Sequence, residues 1–116
     1  MSLDVPKLET YHGHNRIVLV FASSPVSEAY LTQKQIFSGL EDGLHERNLL
    51  IFYLFSDEGA DKLRRRFNVS EKAFTLVLIG KDGGEKERFL EPTQPTMLFD
   101  IIDQMPMRRR EIREKK

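Results

Sequence analysis

The sequence contains no cysteine, which excludes disulfide bonds, thiolate catalysis and thiolate metal sites. It also has no apolar run close to the roughly 20 residues that a helix needs to cross a bilayer. The N-terminal residues lack the apolar region of a signal peptide. Because no cysteine is present, the sequence leaves the redox compartment of the protein undetermined.

The chain carries no net charge, since 18 Lys or Arg residues balance 18 Asp or Glu residues. No overall field therefore attracts it to nucleic acid or to an anionic membrane. The balance is uneven, because residues 106–116 hold six basic and two acidic residues, a net charge of +4 against −4 for the rest. At this length one domain is expected. We predict a lead-in over residues 1–15, a domain over residues 16–105 and a basic tail over residues 106–116.

Continuous apolar runs predict the strands of a sheet that is covered on both faces, because such strands lack the alternation of half-exposed ones. Three runs of this kind span residues 17–22, 49–55 and 74–79. A fourth, charged segment over residues 85–90 follows the turn signal Asp82-Gly83, which predicts a hairpin and an exposed edge strand.

Apolar residues at helical spacing predict three helices between and after these strands. The first is expected over residues 27–46, and the second begins after a cap at Ser56 or Asp57. The last follows Pro95, and Pro106 should end or kink it at Met105. The predicted element order is β-α-β-α-β-β-α.

Small and turn-forming residues follow the first strand, where α/β folds often carry their chemistry because unpaired backbone amides converge. The candidate positions are Ser23, Ser24, Pro25, Ser27, Glu28 and Tyr30. A serine nucleophile needs a neighbouring base. His45 lies late in the predicted helix, so His12 or His14 would have to fold back over the loop. Polar turn residues ahead of a helix are therefore favoured, and a ligand-binding or enzymatic loop is the alternative.

Two other polar patterns have structural explanations. His12-Gly13-His14 offers two imidazoles across a flexible glycine without a third ligand, so no metal site is predicted. Arg64-Arg65-Arg66 ends the second predicted helix, where the helix dipole favours positive charge. A solvated helix end accounts for this triplet.

The element order is that of the thioredoxin fold, and three segments narrow the resemblance: IVLVFASS at 17–24, FNVSEKAFTLVLIGKDGGEK at 67–86 and FDIIDQMPMRRREIREK at 99–115. The chain resembles a thioredoxin-like, peroxiredoxin-like domain of unknown function. That domain occurs alone in bacteria and as a module in animal extracellular sushi-repeat and coiled-coil-domain-containing proteins. The resemblance implies an α/β fold, with a four-stranded mixed sheet and helices on both faces.

The resemblance also locates the redox positions of the related enzymes in this chain. A peroxiredoxin-like alignment places that family's threonine at Ser27 and its reactive cysteine at Tyr30. A thioredoxin-like alignment places the two cysteines of the CxxC motif at Pro25 and Glu28. The cis-proline and threonine of thioredoxins correspond to Phe74-Thr75, where a cis bond would cost about 3 kcal/mol. The nucleophile is missing in either alignment.

These features predict a non-catalytic interaction or scaffolding domain with a degenerate redox site and no thiol-disulfide or peroxidase activity. No cofactor and no metal are expected. One alternative is ligand binding or catalysis by the loop over residues 23–30. A second is binding of anionic polymers through the tail, because guanidinium groups hold carboxylates, sulfates and phosphates by forked hydrogen bonds. The tail candidates are Arg108, Arg109, Arg110 and Arg113.

The sequence does not identify a partner, a compartment or an oligomeric state. The expected partner is a protein, acidic or polyanionic if the tail binds it, and nucleic acid is not expected. The family resemblance suggests an extracytoplasmic or secreted protein, although the chain shows no signal peptide.

Overall fold

A computed structural model describes residues 7–114, so the start of the predicted lead-in and the last two tail residues lie outside it. Four strands form one sheet: β1 (Arg16–Phe21), β2 (Leu49–Leu54), β3 (Thr75–Ile79) and β4 (Glu85–Phe89). Five helices surround it: α1 (Glu28–Phe37), α2 (Glu41–Glu46), α3 (Glu58–Phe67), α4 (Pro95–Asp103) and α5 (Pro106–Glu114). A turn of 3-10 helix, Leu8–Tyr11, precedes β1.

The strand order is β2-β1-β3-β4. β1 runs parallel to β2 and antiparallel to β3, and β4 is antiparallel to β3. The sheet is therefore mixed, and the predicted four-stranded arrangement is confirmed. Because β1, β2 and β4 point the same way, their carboxyl ends lie at one end of the sheet.

β1 is the centre of the core, and all six of its residues are buried. Alternate side chains of a strand point to opposite faces, so β1 contributes to two apolar clusters. The first cluster lies under α3 and the lead-in and includes Leu8, Leu19, Phe21, Ala60 and Leu63. The second lies under α1 and α4 and includes Val18, Val20, Phe37, Leu98 and Ile102. Helices thus cover both faces, as predicted.

The prediction of one helix over residues 27–46 is wrong. α1 ends at Phe37, and Gly39 then takes a backbone φ of +81°, which glycine adopts without the steric cost of a Cβ. The short helix α2 begins at Glu41. The apolar spacing continues through Leu40 and Leu44, which is why the sequence did not reveal the break.

Two other predicted helix boundaries are confirmed. Asp57 caps α3, since its carboxylate accepts a hydrogen bond of 2.7 Å from the backbone N–H of Ala60. Pro106 marks the boundary between α4 and α5. The tail forms a helix from this residue onward, because proline at the first helical position needs no N–H partner.

β4 is an exposed edge strand, and Glu85, Lys86 and Glu87 are exposed as predicted. The backbone N–H of Arg88 donates to Oε1 of Glu87 at 3.0 Å. The guanidinium of Arg88 donates to the carbonyls of Asn68 and Phe67, which ties the strand to the end of α3.

The buried centre and the exposed edge should differ sharply in their effect on stability. We expect Leu19→Ala to lower the free energy of unfolding by about 2–5 kcal/mol, because it removes a fully buried side chain. Lys86→Ala should change it by no more than about 0.5 kcal/mol. Urea titrations of both variants test this, and a larger loss for the lysine variant would contradict the sheet assignment.

Candidate functional site

The loop end is defined here as the end of the sheet where β1, β2 and β4 finish. It contains the loops over residues 22–27, 55–57 and 90–94 and the first turns of α1, α3 and α4. Gln33 of α1 joins two of these parts. Its side chain donates to the carbonyl of Thr93 at 2.9 Å and accepts from the Thr93 N–H at 2.7 Å. Since both residues are buried, this pair fixes the 90–94 loop against α1.

The serine hydroxyls of the loop are engaged with backbone groups. Ser27 caps α1 by accepting from the N–H of Tyr30 at 3.4 Å. Ser24 accepts from the N–H of Val26 at 3.3 Å. The hydroxyl of Ser56 donates to the carbonyl of Ser23 at 3.4 Å. These are the contacts of a turn that starts a helix.

No histidine lies beside these serines. His12 packs against Gly83 in the β3–β4 turn, at the opposite end of the sheet. His14 lies just before the start of β1, and His45 lies just before the start of β2, also at that opposite end. The loop therefore lacks a histidine that could act as the base for a serine nucleophile. Within residues 7–114, no three His, Asp or Glu side chains converge in a way that could hold a metal ion.

Aromatic side chains fill the space beneath the loop. Tyr30 is buried, and its ring meets Tyr53 edge-on at 5.2 Å and Phe55 edge-on at 4.9 Å between centroids. Burial, and then the neighbouring Tyr30, raise the pKa of Tyr53 to about 12. Tyr53 therefore stays protonated at neutral pH and cannot act as a base there.

The remaining residues of the predicted pocket do not form a catalytic arrangement of side chains. Pro25 and Glu28 are exposed at the start of α1. Phe74 is half-buried, and the peptide bond between Phe74 and Thr75 is trans. Thr75 is buried in β3 opposite Phe21.

Arg64 is a buried cation at the loop end that the sequence interpretation missed. Its side chain is 3% exposed. The guanidinium donates to the carbonyls of Ala22 and Phe55, the residues that follow β1 and β2, and to Asp61. The solvated-end explanation holds for the exposed Arg65 and Arg66 and is wrong for Arg64. The sequence could have indicated the burial of Arg64, because this residue lies at helical spacing on the same face of α3 as Ala60, Leu63 and Phe67.

The opposite end of the sheet, which we call the α5 end, holds a network of ion pairs around α5. Glu111 accepts from both terminal nitrogens of Arg16, at 3.2 and 3.1 Å, and from Nζ of Lys81 at 2.7 Å. Arg108 donates to Asp103 at 3.0 Å and to the side chain and carbonyl of Glu46, each at 3.1 Å. These contacts join α5 to β1, α2, α4 and the β3–β4 turn.

Two carboxylates of this network, Glu111 and Asp103, have a lowered pKa. Burial raises the pKa of Glu111, but hydrogen bonds from Arg16 and Lys81 outweigh it, and the pKa is lowered. Burial likewise raises the pKa of Asp103, and hydrogen bonds from Arg47 and Arg108 lower it further than burial raises it. The charged forms therefore stabilise the folded state.

The predicted arginine surface is only partly available. Arg108 is 2% exposed and bonded within its own chain, so its inclusion in an exposed surface is corrected. Arg109, Arg110 and Arg113 are exposed on α5. Their binding of anions stays a prediction.

Comparison with known proteins identifies the family to which the chain belongs. The model of the family described as Domain of unknown function (DUF4174) matches residues 7–111. The chain belongs to this family. The DUF4174 match includes the loop end, the Arg16–Glu111 pair and most of α5. No helix within residues 7–114 is long and apolar enough to span a membrane.

Curated relatives place the DUF4174 domain within longer animal proteins. The human Sushi repeat-containing protein SRPX2 is 23% identical, over 94% of this chain and 27% of that protein. Coiled-coil domain-containing protein 80 of Danio rerio is 35% identical, over 43% of this chain and 6% of that protein. The chain thus spans about a quarter or less of the length of these relatives.

Solved structures confirm the thioredoxin-like fold. The reduced 2-Cys peroxiredoxin of Plasmodium vivax has a TM-score of 0.69 and 14% identity, covering 94% of this chain and 85% of that one. The reduced desulfothioredoxin of Desulfovibrio vulgaris has a TM-score of 0.58 and 15% identity, covering 84% and 88%. This DUF4174 domain therefore has the fold of these proteins, and its sequence contains no cysteine.

We expect Arg64→Met to lower the free energy of unfolding by about 1–3 kcal/mol, because it leaves the carbonyls of Ala22 and Phe55 without their donors. Arg65→Met is the matched control on the neighbouring, exposed position and should cost no more than about 0.5 kcal/mol. Chemical denaturation measures both, and equal losses would show that the buried guanidinium contributes nothing specific.

Glu111→Gln should lower the free energy of unfolding at pH 7 by about 1.5–3 kcal/mol, as expected for hydrogen bonds to charged groups. The folded-state pKa of Glu111 is lowered, so its contribution is present above the ordinary value of about 4.3 and is lost as the pH falls through the folded value. The difference from wild type should therefore shrink on acidification.

The matched control is Glu114→Gln, which changes an exposed acid on the same helix. Urea titrations at pH 7 and at about pH 3 compare the three proteins. A Glu111→Gln deficit that stays constant between the two pH values would contradict the ion-pair explanation.

Proposed function

We propose that this domain is a non-enzymatic interaction module that binds protein partners through its loop end. The supporting observation is the position of the exposed apolar side chains. Among residues 7–114, five large apolar side chains are exposed, and four of them belong to the loop end. These four are Val26, Leu31, Leu90 and Met97.

The topology brings these four residues to one side of the molecule. Val26 lies in the loop after β1, and Leu31 lies in the first turn of α1. Leu90 directly follows β4, and Met97 lies in the first turn of α4. Leu90 and Met97 also line a groove of about 480 Å³. Exposed apolar side chains at one end of a molecule, two of them lining a groove, are typical of surfaces that bind partners.

The chemistry of the same end supports binding rather than catalysis. The hydroxyls of Ser24 and Ser27 accept bonds from backbone amides, and the aligned cysteine positions hold Tyr30 or Pro25 and Glu28. With no cysteine, and no histidine beside the serines, a docked partner would meet no activated nucleophile. The end that carries the chemistry of thioredoxin-like enzymes would here serve for recognition alone.

The charges around the apolar residues indicate what kind of partner fits. The exposed acids of the loop end are Glu28, Asp57, Glu58 and Glu91. Arg64 lies at the same end, but it is buried and paired with Asp61. Arg88 lines the groove and is paired with Glu85. A partner segment with apolar side chains flanked by Lys or Arg is therefore complementary.

The arginine face of α5 is the second candidate surface. Arg109, Arg110 and Arg113 are exposed together on one helix at the α5 end. Such an array would favour acidic proteins or sulfated polymers, with binding that weakens as salt increases. We rank it below the loop end because Arg108 is already engaged in ion pairs within the chain and cannot contribute to this surface.

The test uses the tagged domain to capture partners from cells of its own source. Wild type is compared with Val26→Asp/Leu90→Asp and with Met107→Asp, which changes an exposed apolar side chain at the α5 end. We expect a partner that wild type and Met107→Asp retain and that the double variant loses, because an acidic group replaces the apolar contact. The captured protein is then purified and titrated directly, with an expected affinity loss of at least about tenfold.

Circular dichroism of all three proteins confirms that they are folded. Binding that survives the double substitution would rule out the loop end. If that surviving binding is lost in a variant carrying Arg109→Glu, Arg110→Glu and Arg113→Glu, the second candidate surface is supported instead.

A further inference from the structure

A cavity of about 230 Å³ opens beside α5, at the end of the sheet opposite the proposed protein-binding surface. Its polar wall contains three cations, Arg16, Lys81 and Lys86, and one carboxylate, Asp82, and its apolar wall contains Met105, Pro106 and Met107. It therefore combines a cationic side with an apolar side. Neither the resemblance of the chain to known proteins nor the proposed function assigns it a ligand.

The cations around this cavity outnumber the carboxylates. Glu111 is shared between Arg16 and Lys81, so one negative charge faces two positive ones. Lys86 is paired with Asp82 at 2.7 Å. Arg108 lies 3.9 Å from Glu111, but it has Asp103 and Glu46 as its own partners. The cavity thus has an excess of one positive charge.

The cationic side has hydrogen-bond donors to spare. An ammonium group carries three N–H bonds, and Lys81 and Lys86 each use one in the ion pairs above. Arg16 is 1% exposed and directs both of its terminal nitrogens to Glu111. The spare donors on this side are therefore the remaining N–H bonds of the two lysines.

The side chain of Lys86 passes close to Gly80, since a Cβ at Gly80 would come within 2.5 Å of Cε of Lys86. The ammonium of Lys86 is held by Asp82 at 2.7 Å. Lys86 and Lys81 both line the cavity, so one ligand there could contact both residues.

From these observations we infer that the cavity is a binding site for a short-chain monocarboxylate. The carboxylate would accept from Lys81 and Lys86, whose charge exceeds that of the acids present. The alkyl part would contact Met105, Pro106 and Met107. The volume is several times the share of about 30 Å³ that a water molecule occupies, which suits a ligand of a few carbon atoms.

The test measures binding of butyrate to the whole domain by ¹H–¹⁵N NMR at constant ionic strength. Butyramide, which has the same shape without the charge, is the ligand control. We expect saturable shifts of the amides of Gly80, Lys81 and Met107 with butyrate, and none with butyramide. No saturable shift with up to about 50 mM butyrate, equal shifts with butyramide, or shifts confined to other residues would each overturn the proposal.

Two substitutions then separate the site from general anion binding. Lys86→Gln removes a donor on the exposed edge strand, and we expect it to weaken butyrate binding at least about fivefold. Met107→Asp places a negative charge at the cavity wall and should abolish it. Lys62→Gln, on the exposed face of α3, is the matched control and should bind as wild type does. Equal loss in the control, or unchanged binding in both site variants, would overturn the assignment.

Discussion

Burial of β1 between β2 and β3, with helices over both of its faces, is the constraint on which the other elements depend. No residue of this strand reaches solvent, so its two side-chain rows must each find an apolar cover. α3 and the lead-in supply one cover, and α1 and α4 supply the other. This arrangement fixes where the strand ends, and so it positions the loop after Phe21 at one end and Arg16 at the other.

Both ends of this buried strand are closed by arginine rather than by apolar residues. Arg64 bonds to the carbonyl of Ala22, just beyond the last residue of β1, and Arg16 begins the strand with bonds to Glu111 and to the carbonyl of Arg47. A guanidinium suits these places, because it offers several donors in one plane to backbone oxygens that the sheet leaves unpaired. At the loop end, the exposed surface includes four large apolar side chains. At the α5 end lies a cavity with surplus positive charge.

Much of the fold could be predicted because it depends on local patterns. The apolar runs indicate the strands, Asp57 marks a helix start, and Asp82-Gly83 marks the hairpin. The break at Gly39 was missed, because apolar spacing continues across it. The packing of α5 was missed as well, since charges rather than apolar residues attach that helix to the body. Such a helix lacks the apolar stripe from which its packing could be predicted.

The candidate sites likewise include features that could be predicted from the sequence and features that could not. The absence of a redox cysteine can be predicted from single positions such as Tyr30, because the family resemblance shows which residues align with the cysteines of the related enzymes. The Arg16–Glu111 pair joins residues 95 positions apart, and a contact of that separation leaves no local signal. The burial of Arg64 was readable only from its place among Ala60, Leu63 and Phe67, against the general preference of arginine for solvent.

The side chain of Glu87 has a further consequence for how this domain can associate. By accepting from the N–H of Arg88, it occupies a donor that the outer side of β4 would otherwise offer to a passing chain. Charged neighbours on the same strand add a hydration shell that an incoming strand would have to strip away. The sheet therefore resists extension by backbone pairing along β4. Copies of the domain held near one another can therefore remain separate folding units.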